Sequence, residues 1–175
     1  MNHTRRLITA LAAALALLLA PTVVAPANHI PAAHATAGAW TLTNAARTNL
    51  LNGTYGNLTA SNGATIKLLT SSSNIGASST TCAGVTGEVA NGNGYTTGGV
   101  TGTLVASGTT TVTLSLSANV TFQASGGSIV FRYYLICYNS QVLAYALGDN
   151  TPADITITNG NTETLSNSQP VWTVA

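Results

Sequence analysis

Between Ser128 and Tyr138 the chain runs Ser-Ile-Val-Phe-Arg-Tyr-Tyr-Leu-Ile-Cys-Tyr, the longest stretch of strand-forming residues outside the N-terminal segment. β-Branched and aromatic side chains fill it, and these suit a pleated surface packed against neighbours. Alternation places Ile129, Phe131, Tyr133, Leu135 and Cys137 on one face. Val130, Arg132, Tyr134, Ile136 and Tyr138 fall on the other. Neither face is polar throughout. The pattern therefore predicts one central strand covered on both sides, which requires a sheet around it and further layers above and below.

The flanking sequence supplies that sheet. Thr109 to Ser117 alternates Val112, Leu114 and Leu116 with hydroxyl residues, the mark of an antiparallel strand with one face in the core. Strands are also predicted over Thr65–Thr70, Val100–Val105, Val120–Phe122, Val142–Leu147, Asp154–Thr158, Thr162–Leu165 and Val171–Val174. Asn139-Ser140 reads as a hairpin turn, and Asn62-Gly63, Gly126-Gly127 and Asn159-Gly160-Asn161 as further turns. Trp40 to Leu51 carries apolar residues near helical spacing, with Thr43 or Asn44 as N-cap and Asn52-Gly53 as stop. Ser71 to Thr81 is polar without apolar period and is expected to be irregular. No repeat at a solenoid or propeller period is present. The expected fold is all-β, an antiparallel β-sandwich or small barrel with one short N-terminal helix.

Met1 to Arg6 is basic, Leu7 to Ala20 apolar, and small residues follow Pro21, with Ala33-His34-Ala35 and Ala35-Thr36-Ala37 as Ala-x-Ala sites. That order matches a secretory signal. Residues 1–35 are therefore expected to be a signal-like leader and residues 36–175 a single β-rich domain. An uncleaved anchor, or translation starting near Ala39, would account for the same residues. With the leader removed, no membrane association is expected of the body.

Composition narrows function. Of 175 residues, 45% are hydrophobic but only 5% are charged, against about a quarter in ordinary globular proteins. Thr, Ser, Asn and Gly occupy the surface instead. Such a surface suits permanent packing against other copies, and equally a secreted domain solubilised by hydroxyls and amides. Beyond Ala35 the charges are Arg47, Lys67 and Arg132 against Glu88, Asp149, Asp154 and Glu163. This balance offers no footprint for nucleic acid.

The groups that usually carry chemistry are scarce. His3, His29 and His34 all precede the expected cleavage sites, so the body has no imidazole for a nucleophilic triad or a His-based zinc site. No spacing forces two carboxylates together as glycoside hydrolysis needs. Gly148 to Asp154 gathers oxygen ligands in a loop, but without the order of a calcium-binding hand. The glycine-rich run Gly87 to Val100 lacks the following helix and the Lys of a phosphate cradle. No catalytic residue, metal or cofactor is expected. In the body, Asn-x-Thr sequons begin at Asn52, Asn57 and Asn119; a chain rich in both residues produces them by chance. Cys82 and Cys137 are the only cysteines. They form either a disulfide closing a long loop, if the chain is exported, or two buried thiols acting as small apolar residues.

Several stretches taken in order carry a resemblance. They are Trp40-Thr-Leu-Thr-Asn-Ala-Ala-Arg47 through Thr54, Thr65-Ile-Lys-Leu-Leu-Thr70-Ser71, and Glu88-Val89 with Gly94-Tyr-Thr-Thr-Gly-Gly99. Ala124-Ser-Gly-Gly-Ser-Ile129 running into Arg132-Tyr133 completes them. Their order resembles a group of tailed-bacteriophage virion proteins, small β-rich proteins of the capsid-decoration or tail-accessory type. The likeness spans Trp40 to the C-terminus. It implies a non-enzymatic structural role, with self-association and other virion proteins as partners, and it assigns no binding residue. The alternative is a secreted surface or adhesion domain that binds a glycan or protein through exposed aromatics such as Tyr95 or Tyr138, two residues that equally suit the core.

Overall fold

Tyr134 is the centre of the fold. Its ring is fully buried and packs against Phe131 at 5.0 Å, Phe122 at 6.4 Å and Trp40 at 6.5 Å between centroids. The computed structural model describes residues 37–60 and 63–175; the expected leader, residues 1–35, and Asn62 of the Asn62-Gly63 turn lie outside them. All described residues fall within one compact unit.

Twelve strands are present among the described residues: β1 (Thr41–Leu42), β2 (Ala64–Leu69), β3 (Val100–Gly102), β4 (Leu104–Ser107), β5 (Val112–Leu116), β6 (Val120–Gln123), β7 (Ile129–Phe131), β8 (Tyr133–Tyr138), β9 (Gln141–Leu147), β10 (Ile155–Ile157), β11 (Thr162–Leu165) and β12 (Trp172–Val174), with one α-helix, α1 (Asn44–Leu51), and one short 3-10 turn (Cys82–Gly84). The main sheet has the order β1-β9-β8-β2-β3. Two pairs, β10-β7 and β11-β6, and a three-stranded sheet, β12-β5-β4, pack against it. All pairings are antiparallel. The result is a sandwich-like all-β fold, as expected.

The predicted central strand is in fact two. β7 pairs with β10, whereas β8 lies between β2 and β9 in the main sheet. Arg132 is the joint. Its backbone N–H reaches Leu69 O (2.7 Å), its carbonyl accepts from Gly148 N–H (2.7 Å), and its Nε donates to Asp154 Oδ1 at 2.8 Å. One extra residue at this joint shifts the side-chain parity. The main core therefore takes Ile129 and Phe131, then Tyr134, Ile136 and Tyr138. Leu135 and Cys137 face the other side, in a smaller cluster with Leu69 and Val142.

That second cluster is roofed by the polar stretch after β2. Ile75, Cys82 and Val85 pack down on it, and the roof is tied to β9 by Val142 N–H to Thr80 O and to the turn before β9 by Cys82 N–H to Ser140 O, both 2.9 Å. The main sheet is thus covered on both faces.

Two other boundaries move. Val100–Val105 breaks at Thr103, so that β3 joins β2 and β4 joins β5. The helix starts later than Trp40 because Thr41 and Leu42 pair with Tyr145 and Ala144 of β9. Thr43 is the N-cap: its Oγ1 accepts from Ala46 N–H at 3.1 Å and donates to Val142 O at 3.2 Å. One buried hydroxyl both caps α1 and pins it to β9.

Candidate functional site

The sequence-predicted chemical residues are held apart in structural roles. Glu88 accepts from Lys67 Nζ (2.9 Å), Tyr95 OH (3.0 Å) and Gly98 N–H (2.6 Å). Burial pushes its carboxyl upward, but the Gly98 N–H, Lys67 and Tyr95 outweigh this and hold it below the ordinary value of 4.5. Tyr95 OH also accepts from Leu68 N–H, so one knot fastens the glycine-rich loop to β2. Burial first, then the Glu88 charge, pushes the Tyr95 hydroxyl well above its usual range. Glu163 is buried and takes the Tyr134 hydroxyl at 3.0 Å. Asp154 pairs with Arg132, and Asp149 Oδ1 accepts from Thr151 N–H to shape a turn. Among the described residues no three His, Cys, Asp or Glu stand together to hold a metal.

Cys82 and Cys137 are joined in the structure, 55 residues apart in sequence. The bond fastens the roof over β2 and β8 to the sheet beneath. Of the two readings of Tyr95 and Tyr138, exposed aromatic or core, the structure has core: both are buried at 3% exposure. Tyr95 belongs to the Glu88 knot, and the Tyr138 hydroxyl donates to Asn57 O. Neither can stack on a ligand.

The surface that does stand out lies on the three-stranded sheet. Cross-strand register aligns Leu104 with Leu116, Ala106 and Trp172 with Leu114, and Val174 with Val112. These residues share one face. Leu104, Leu114 and Leu116 are buried in the core. Further along the same face Val112 is 40% exposed, Val174 42% and Trp172 37%, with Ala106 exposed beside them. The inward face is apolar along its whole length, but the rest of the molecule covers only one end of it. β4 and β12 are the outer strands of this sheet. Neither contains a charge or a proline, the devices that usually keep free edges apart. This sheet end can bury apolar area at about 25 cal/mol per Å² and accept a further strand; it has no group that moves protons.

Sequence reasoning did not single out this patch. Val112 is expected in the core by its alternation with Leu114 and Leu116, and nothing in that periodicity marks where the covering layer stops.

No family model matches the chain, and no curated protein and no solved structure matches it.

Proposed function

We propose that the protein is a non-enzymatic structural component of a bacteriophage-type particle, decorating or stabilising a capsid or tail surface. Its contacts are made through apolar area and strand edges, with copies of itself and with other particle proteins. The observation that carries this reading is the uncovered end of the β12-β5-β4 sheet, where Val112, Val174, Trp172 and Ala106 continue a core face into solvent. An exposed apolar face continuous with the core is the kind of surface that interaction sites use. The ordered resemblance from Trp40 onward favours a phage particle as the setting. The engaged state of Glu88, Asp149, Asp154 and Glu163 fits a chain whose charges hold loops and turns in place.

A second reading, a secreted surface domain binding a glycan or protein, is favoured by one specific observation. The Cys82–Cys137 bond belongs in an oxidising compartment, and the signal-like order of residues 1–35 points the same way.

Mass spectrometry of purified particles separates the two. Recovery of the chain at a fixed, structural copy number per particle is the expected result. Recovery only from the culture medium or cell wall, with residues 1–35 removed, would overturn the particle reading in favour of the second.

A further inference from the structure

A groove of about 500 Å³ runs beside the outer strands β1 and β12, lined by Trp40, Thr41, Arg47, Pro170, Trp172 and Thr173 among others. It shares Trp172 with the uncovered sheet end but none of Ala106, Val112 and Val174. Its charge is unusual for this chain. Lys67 and Arg132 are each paired with a carboxylate. Arg47 has no carboxylate partner among the described residues, and its Nη1 donates only to the neutral amide oxygen of Asn44, at 3.3 Å. No carboxylate lines the groove. A guanidinium carries five donors in a planar fork suited to a carboxylate, so the complement this groove lacks is one anionic, planar acceptor.

The aromatic walls narrow the class. Trp40 is held in place by packing on Tyr134, while Trp172 leaves 37% of its surface open. Indole faces are rigid, amphipathic platforms. The hydroxyls of Thr41 and Thr173 can each donate or accept. A ligand with an apolar ring face, a hydroxylated rim and one carboxylate meets all three features. An acidic peptide would satisfy Arg47 but leave the indole without a matching flat surface. We infer that this groove binds an acidic saccharide, a pyranose ring stacked on Trp172 with its carboxylate on Arg47. The inference goes beyond the assembly reading and does not depend on it.

Isothermal titration calorimetry of the whole chain tests this, with short galacturonate, glucuronate and mannuronate oligomers, their methyl esters and an oligo-aspartate peptide as probes. Saturable binding of at least one uronate is expected. Its methyl ester should bind about tenfold or more weakly, the size of a lost charged hydrogen bond. Arg47→Gln should lose a similar factor, and Trp172→Ala about tenfold from lost stacking, both read on variants that remain folded at the titration temperature. The inference is overturned if none of the three uronates binds, if ester and acid bind equally, or if the aspartate peptide binds as tightly as the best uronate. It is equally overturned if binding survives both substitutions.

Discussion

At the scale of single residues, Glu88 matters most to the shape of the surface loops. Its carboxylate gathers Lys67, Tyr95 and the Gly98 N–H, and the short approach to Gly98 needs the adjoining glycines. At Gly99, with φ of 82°, an added Cβ would lie 2.1 Å from Ile66 O. Glu88→Gln should lower stability at neutral pH by about 1–2 kcal/mol, since hydrogen bonds to a charged group are replaced by weaker ones. The pH dependence follows from the direction of the shift. Because folding lowers this carboxyl's pKa, its ionised form stabilises the native state above about pH 4.5 and loses that contribution as pH falls through the folded-state value. Urea midpoints measured from pH 7 to pH 3 should therefore fall more steeply for the parent than for Glu88→Gln, and the gap between them should close in acid. Parallel curves would show that the charge is not what holds the knot.

Among the elements, the β8–β9 hairpin is the most exacting. Asn139 and Ser140 both take positive φ, 48° and 63°, as a two-residue type I′ turn requires. Asn tolerates this and Ser does so less readily, so Ser140→Gly should raise stability by about 0.5 kcal/mol. Thermal unfolding checks it, and a lowered midpoint would mean the Ser140 side chain contributes more than its backbone strain removes. The hairpin and most strands could be read from alternation and turn residues. The break at Arg132 could not, because strand propensity continues unbroken from Ile129 to Tyr138 while the pairing partner changes from β10 to β9 and β2. The same limit applies at Thr103, where β3 and β4 separate. The roof from Ser71 onward was legible only as irregular. Its few apolar contacts, Ile75 and Val85, have no period, and it is held by backbone hydrogen bonds to β9. Trp172 and Val174 read as a terminal strand, but not as exposed ones, since cover depends on layers distant in sequence.

For the molecule as a whole, two features decide behaviour. The Cys82–Cys137 bond closes a span of 55 residues, for which chain-entropy arguments give about 4 kcal/mol. Reduction, or Cys82→Ala with Cys137→Ala, should lower the urea midpoint accordingly, with loss first in the roof over Leu69 and Val142 as read by hydrogen exchange. An unchanged midpoint would mean the roof is secured by its backbone bonds alone. The second feature is the uncovered sheet end, on which the proposed assembly role stands. Val112 and Val174 lie opposite each other there, both about two-fifths exposed, so Lys at either position places charge in the patch without burying it in the core. Sedimentation velocity over a concentration series, comparing the parent chain with Val112→Lys and Val174→Lys, is the most direct measurement. The account predicts concentration-dependent self-association of the parent and monomers for both folded variants; a parent that stays monomeric throughout, or variants that associate as it does, would contradict it.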